Sequence, residues 1–472
     1  VLPTLAPEDY RVTRHLFGTD GVRGVAGELL SAELALALGR AATALAAVER
    51  PQVLIIRDTR ESGEMLEAAL AAGVSAAGGE ALLGGVLPTP AAPLLIARYG
   101  FDLAAVISAS HNPYQDNGIK FFGADGFKLS DESELEIERE LQRAGGGSAD
   151  ANGGWDASGP ASRGTGDEGG GHVIGRVREL RGTGEDYLRE LHTRFAELDL
   201  HGLDVLLDCA HGATYRVAPE IFRRLGATVS VIAERPDGRN INAGCGSTHV
   251  GELARRVLAD GHAVGFAFDG DGDRVLAVDG AGEVVDGDEL MALAALHLKR
   301  AGRLAGGGVV VTVMTNYGFH AAMRDADIAV ASTKVGDRYV LEELRARGWV
   351  LGGEQSGHII DTGFNRSGDG IASALLALEA LAGAPLSERH AMRKLPQRLV
   401  NVRVRDRRAL ESADTVTAAV RAADEALSGR GRVLVRPSGT EPLVRVMVEA
   451  PTDAEADEVC ARLVALVERE LA

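Results

Sequence analysis

At 472 residues the chain is too long for one core, and a typical size of about 150 residues per domain predicts about three to four domains. The composition is 45% hydrophobic, with few aromatics and an excess of Gly and Ala, as in a soluble globular protein. A formal net charge of -18 argues against a nucleic-acid binder, because phosphate-backbone affinity rests on clustered Lys and Arg, but it leaves room for a small phosphorylated ligand wherever a few arginines converge.

In chain order, the N-terminal stretch carries Glu8 and Asp9 and no apolar core, so no signal peptide is expected. Phe17-Gly-Thr-Asp-Gly-Val-Arg23-Gly is a Gly-rich turn that either brings Arg23 toward an anion or simply turns the chain. Glu33 to Arg50 reads as a helix stopped by Pro51, and Val53 to Ile56 as a strand ending in the polar Arg57, Asp58 and Thr59. The apolar run Leu103 to Ile107 reads as a buried strand leading into Ser-Ala-Ser-His-Asn-Pro-Tyr-Gln-Asp-Asn at 108–117. Ser110 then lies just past a strand's C-terminal end, where open α/β sheets expose ligand groups. It is a candidate nucleophile, or else part of an ordinary polar turn.

Gly145 to Gly175 is dominated by Gly, Ser, Ala and Asp and reads as a linker. Beyond it, Val205 to Leu207 and Ala263 to Phe268 read as strands, with a helix at Glu252 to Ala259 between them. The second of these strands runs into Asp269-Gly-Asp-Gly-Asp273-Arg274. Its glycines permit the tight backbone angles that point Asp269, Asp271 and Asp273 at one centre, and an all-oxygen set suits a hard divalent cation such as Mg²⁺. An EF-hand is excluded by the strand in front and the lack of a Glu at the twelfth position.

After a seam at Asp279 to Gly287, a helix at Leu290 to Arg300 and strands at Gly308 to Val313 and Val350 to Gly352 continue the βα alternation, which implies parallel or mixed sheets covered on both faces. Lys334-Val-Gly-Asp-Arg338 either binds substrate or caps a helix beginning near Arg338. In Gly352-Gly-Glu-Gln-Ser-Gly-His358, an extended backbone would put Glu354 and Ser356 on one side, suited to gripping sugar hydroxyls, while His358 is either a proton carrier or a structural histidine.

A third seam is expected between Ala384 and Val400, followed by an α+β tail with strands at Val402 to Arg405 and Val444 to Val448 and helices at Ala413 to Leu427 and Ala454 to Glu470. Within this tail, Arg436-Pro-Ser-Gly-Thr440-Glu-Pro-Leu-Val-Arg445 has the makings of a phosphate cradle. Arg436 and Arg445 offer forked donors, Ser438 and Thr440 hydroxyls, and Gly439 a backbone that an anion can approach closely. Cys209, Cys245 and Cys460 are too few and scattered for a disulfide framework, which favours a cytoplasmic setting, and no run approaches the about eighteen apolar residues of a membrane span.

Taken together, S-A-S-H-N-P, D-G-D-G-D-R, G-G-E-Q-S-G-H and R-P-S-G-T-E-P, in that order, resemble the α-D-phosphohexomutase superfamily, as does P-D-G-R-N-I-N-A-G-C-G-S-T-H at Pro236 to His249. The wording is most similar to its bacterial amino-sugar branch. The resemblance implies an α/β protein with four domains around a central cleft, three mixed α/β sandwich domains and a C-terminal α+β domain, with limits expected at 1–175, 176–284, 285–390 and 391–472. It also implies that Ser110 carries a phosphoryl group and that Mg²⁺ is held by Asp269, Asp271, Asp273 and a phosphate oxygen on Ser110. Arg23, Arg274, Lys334, Glu354, Ser356, His358, Arg436, Ser438, Gly439, Thr440 and Arg445 would then bind the substrate. The implied reaction interconverts glucosamine 6-phosphate and glucosamine 1-phosphate, with glucosamine 1,6-bisphosphate (or glucose 1,6-bisphosphate) as intermediate or activator. The alternatives are the same machinery acting on mannose or glucose phosphates, and a non-catalytic sugar-phosphate binder. His111, Lys120 and His358 remain open as general acid or base. The expected partners are a phosphosugar and a second copy of the chain, without nucleic acid or membrane.

Overall fold

The computed structural model describes residues 16–18, 20–46, 48–143, 148–149, 155–156, 173–406, 409–410, 413–437 and 442–471. Most of the Gly-rich linker expected at 145–175, and Ser438, Gly439 and Thr440 of the phosphate cradle, lie outside the described residues. The chain divides into two compact units, Val1–Val284 with Ile360–Leu375, and Val285–Ile359 with Leu376–Ala472.

The first unit opens with a mixed six-stranded sheet in the spatial order Val22–Val25, Asp116–Gly123, Leu103–Ile107, Gln52–Arg57, Glu80–Val86, Val177–Glu179. Gln52–Arg57 is parallel to both of its neighbours, as a strand fed by crossover helices must be, while Asp116–Gly123 runs antiparallel to Leu103–Ile107. Val53 and Ile55 belong to a core shared with helices Ala32–Ala44 and Gly63–Ala76, whereas Leu54 and Ile56, on the opposite face, are equally buried. Covering both faces explains the unbroken apolar run, and each such side chain contributes roughly 1.5–3 kcal/mol relative to exposure.

The two helices approach closely because glycines line the contact. A Cβ on Gly39 would sit 2.4 Å from Leu70 O, and one on Gly73 2.0 Å from Leu36 O. Ser31 caps the first helix by accepting from Leu34 N–H. That helix ends at Ala44 rather than at the expected Arg50, because the chain needs the intervening residues to reverse into Gln52–Arg57.

A second sheet in this unit has the order Thr228–Ile232, Asp204–Asp208, Val264–Phe268, Val275–Asp279, Val284–Val285. Its central strand Val264–Phe268 is parallel to Asp204–Asp208 and antiparallel to Val275–Asp279, so the chain reverses at once after Phe268, and the acidic motif is that reversal.

In the second unit, helix Gly287–Arg300 begins at a capping box of Asp286 and Glu289. It covers a sheet whose strands within this unit run in the order Ala329–Thr333, Gly308–Thr312, Leu351–Gly353. The tail is a three-stranded antiparallel sheet, Gln397–Arg403, Leu443–Glu449, Arg432–Pro437. Val444, Val446 and Val448, at period two, pack in one core with residues of helices Asp414–Leu427 and Asp453–Leu471. The fully buried Glu449 ties this sheet to the preceding one, accepting from Tyr317 N–H at 2.8 Å and from Arg432 Nε at 2.8 Å, while Arg432 Nη2 donates to Thr315 O at 2.6 Å. No helix among the described residues is long and apolar enough to cross a membrane.

Candidate active site

Strand Leu103–Ile107 delivers the serine loop, and the strand after it delivers Lys120, which lies opposite Val106. The reversal after Phe268 delivers the three aspartates from the neighbouring sheet. Their ligand oxygens lie within 4.8 Å of one another, and all three side chains are buried. Ser110 Oγ donates to Asp269 Oδ2 at 2.6 Å, and Arg274 N–H donates to Asp269 Oδ1 at 3.1 Å. Asp271 Oδ2 accepts from Lys120 Nζ at 2.8 Å and from Thr89 Oγ1 at 2.6 Å, leaving its buried Oδ1 without a hydrogen-bond partner among the described residues.

These groups fit a divalent cation. Burial first, and then the neighbouring Asp273 and Asp271, push the Asp269 carboxyl well above the usual range, a cost that a cation would remove. The donor set is all oxygen, as a hard ion requires, and the vacant lone pairs of Asp271 Oδ1 offer a ligand position.

Lys120 is 1% exposed, with its ammonium 3.4 Å from Asp20 and 3.7 Å from Asp273 besides the contact to Asp271. Burial alone would lower its pKa, but Asp20, Asp271 and Asp273 together hold it above the ordinary lysine range. For Asp271 the same pair works in reverse: burial raises the carboxyl, and Lys120 holds it below the usual range. So fixed a charge suits electrostatic stabilisation better than proton exchange. His111 has the geometry for proton exchange, its Nδ1 lying 3.3 Å from Ser110 Oγ. Burial, and then the charges of Arg274 and Arg23, lower its pKa from the ordinary histidine value.

Arg23 pairs with Asp20, which also accepts from Lys128, and its buried Nε has no hydrogen-bond partner among the described residues. Arg274 Nε lies 3.8 Å from Asp273 Oδ1. Ser110, His111, Lys120, Arg23, Arg274 and the three aspartates are thus brought to one place. Sequence reasoning passed over Asp20, Thr89, Asp58, Arg60 and Asn242. Asp20 stands inside the Gly-rich turn that contains Arg23, and Asn242 inside Pro236 to His249, so the motifs were visible while the partners were not.

In the second unit, Glu354 and Ser356 do not lie on an extended segment. They sit in the turn between Leu351–Gly353 and Ile359–Asp361, closed by a Gly357 N–H to Glu354 O bond, which leaves Glu354 buried and Ser356 exposed. Glu354 Oε1 accepts from Gly336 N–H at 2.9 Å, linking this turn to the loop that holds Lys334. Gly336 is the cap of helix Asp337–Arg347. His358 is buried, with Nε2 3.8 Å from Asp337 Oδ2. Arg436 and Arg445 stand directly opposite each other on paired strands, and burial followed by the charge of Arg445 lowers the pKa of Arg436. Arg445 Nε is buried without a hydrogen-bond partner among the described residues. Two facing guanidinium groups with an unused donor are a ready anion site.

The fold and these loops define a phosphohexomutase. Family models described as phosphoglucomutase/phosphomannomutase alpha/beta/alpha domains I, II and III match residues 14–146, 185–282 and 286–399, and the C-terminal domain model matches 399–466. The chain belongs to this four-domain α/β enzyme family, as its motifs implied. It is 52% identical to the phosphoglucosamine mutase of Moorella thermoacetica over 453 residues, covering 95% of this chain and 98% of that one. It is 51% identical to the phosphoglucosamine mutase of Desulforudis audaxviator, covering 96% and 97%. Among solved structures, a phosphoglucomutase/phosphomannomutase family protein from Burkholderia thailandensis shares the fold with a TM-score of 0.75 at 23% identity over 96% of this chain and 97% of that one. The N-acetylphosphoglucosamine mutase of Aspergillus fumigatus, solved with GlcNAc-6P and magnesium, aligns with a TM-score of 0.64 at 20% identity over 97% and 96%.

Proposed function

We propose that this chain interconverts glucosamine 6-phosphate and glucosamine 1-phosphate, with Ser110 as the phosphoryl carrier. The observation that carries the mechanism is the Ser110 hydroxyl seated 2.6 Å from Asp269 on a buried acidic cluster beside a fixed lysine charge. The amino-sugar assignment is supported by relatives about half identical over nearly their whole length.

Phospho-Ser110 gives its phosphoryl group to O1 of glucosamine 6-phosphate. The Oγ–P bond breaks, an O1–P bond forms, and the O1 proton passes to the protein. Glucosamine 1,6-bisphosphate turns around and returns its 6-phosphoryl group to Ser110, and the proton goes back to O6 as glucosamine 1-phosphate leaves. His111 is the proposed proton carrier, supported by its 3.3 Å approach to Ser110 Oγ. Lys120 and Arg274 stabilise negative charge on the moving group, in a reaction that asks mainly for alignment and neutralisation. Magnesium, held by Asp269, Asp271 and Asp273, would supply further neutralisation of the phosphoryl oxygens.

Arg23, Lys334, Glu354, Ser356 and His358 are assigned to the sugar phosphate, and Arg436, Ser438, Gly439, Thr440 and Arg445 to the phosphate that is not reacting. The domain limits 1–175, 176–284, 285–390 and 391–472 are proposed with this reading, the second supported by the break between compact units after Val284. A cytoplasmic setting is favoured by three cysteines that are all buried and free.

The test is the initial rate on glucosamine 6-phosphate, mannose 6-phosphate and glucose 1-phosphate, each with its bisphosphate activator. A preference for the amino sugar of at least tenfold in kcat/KM is expected. Equal rates on all three would overturn the amino-sugar assignment.

A further inference from the structure

Ser110 is not a glycine, yet its φ is +53°, in the left-handed region that L side chains avoid. Something must hold it there, and both of its peptide groups are pinned. On the N-terminal side, Ser110 N–H donates to Ser108 Oγ at 2.9 Å, and Ser108 Oγ donates to Asp58 Oδ2 at 2.6 Å. On the C-terminal side, the Ser110 carbonyl accepts from Arg60 Nη2 and from Asn242 Nδ2, each at 2.9 Å.

Arg60 is 1% exposed and spends all five guanidinium N–H groups on this task. Nε donates to Asp58 Oδ2, Nη2 to the carbonyls of Ser110 and Asn112, and Nη1 to those of Pro113 and Asp116. Asn242 also reaches the Asn112 carbonyl, at 3.0 Å, and is itself left-handed, with φ +58°. It belongs to the Pro236 to His249 motif, to which the reaction assigns no role. The metal loop closes on the same point: a Cβ on Gly270 would lie 2.6 Å from Ser110 O and 2.7 Å from Asn242 Nδ2.

We propose that Arg60 and Asn242 are positioning residues that clamp the Ser110 carbonyl and keep Oγ aimed at the acidic cluster for phosphoryl transfer. Neither touches the reacting atoms. The inference rests on the reading of Ser110 as phosphoryl carrier. Releasing the carbonyl lets Ser110 relax toward ordinary backbone angles and swings Oγ away from Asp269, so the transfer step slows while sugar binding is kept.

The clean variant is Asn242→Gly, because glycine tolerates the positive φ and only the carboxamide is lost. Arg60→Lys keeps the charge and removes the fork. Phosphorylation of Ser110 by glucose 1,6-bisphosphate is followed in single turnovers by quenched-flow mass spectrometry on the full-length protein, beside steady-state kcat and KM and the thermal midpoint. For Asn242→Gly, a transfer rate at least tenfold lower is expected, with KM changed less than threefold and the midpoint within a few degrees of the parent. Asn242→Asp, which presents a carboxylate to the carbonyl, should be slower still. Transfer at the parental rate in Asn242→Gly overturns the clamp, whether or not Arg60→Lys folds. A rise in KM with an unchanged transfer rate overturns it equally. An unphosphorylated parent protein overturns the carrier reading instead, and the clamp's role in transfer falls with it.

Discussion

Replacing Lys120 by Met keeps most of the volume and removes the ammonium that faces the acidic cluster from within the sheet. In the native chain that ammonium lies 2.8 Å from Asp271, 3.4 Å from Asp20 and 3.7 Å from Asp273, on a side chain 1% exposed. Removing one partner of a buried pair costs about 3–5 kcal/mol, because the other charge is left uncompensated. Here three carboxylates lose a shared cation, so the upper half of that range is expected in chelator. At about 2 °C per kcal/mol for a unit of this size, the transition of the first unit should fall by about 8–10 °C. Saturating Mg²⁺ should recover much more of that loss in the variant than it adds to the parent, since the added ion replaces the missing charge. Calorimetry in EDTA and in millimolar Mg²⁺, on both proteins, measures the difference. A variant within about 1 kcal/mol of the parent in EDTA would refute the reasoning, because the buried charge network would then be energetically idle.

The close helix pair predicts that Gly73→Ala is severely destabilising, by about 3 kcal/mol or more, because its Cβ would meet backbone at 2.0 Å; denaturant unfolding with far-UV dichroism checks this. Asp288, fully buried and next to Asp286, has its pKa raised to about 7 by burial and then by that neighbour. Between about pH 4 and pH 7 the folded chain therefore binds more protons than the unfolded one, so this group's contribution is present at low pH and is lost as pH rises through 7. Asp288→Asn should gain on the parent across that window by up to about 4 kcal/mol, read from thermal midpoints at pH 4.5 and pH 8. Arg445→Gln removes a like charge directly opposite Arg436, so the variant without ligand should be slightly more stable, by roughly 0.2–1 kcal/mol, while stabilisation by added glucosamine 6-phosphate largely disappears in a thermal-shift titration.

Much of the fold was legible because its strands are buried on both faces and read as short apolar runs. Leu103–Ile107 falls where the run ends, and the helices of the tail agree within one or two residues at each end. Asp116–Gly123 was not legible, because Asp116, Asn117 and Gly118 disguise its start, and with it went the reason that Lys120 reaches the cluster. The acidic motif was readable because the metal chemistry lies in contiguous residues. Asp58, Arg60 and Asn242 were not, since the serine-loop residues they hold, Ser108 for Asp58 and Ser110 for Arg60 and Asn242, are 50 to 132 residues away along the chain and nothing local marks the contact. The spacing of Glu354 and Ser356 misled for a different reason: a period-two reading assumes extended backbone, and a hydrogen-bonded turn puts one side chain inside and the other out.

The carrier role of Ser110 is tested most directly by peptide mass spectrometry of the protein quenched during steady-state turnover of glucosamine 6-phosphate with its bisphosphate. The account predicts one phosphoryl group on the peptide containing Ser110, absent in Ser110→Ala, together with loss of turnover in that variant. Turnover at the parental rate with Ser110 unmodified throughout would contradict it.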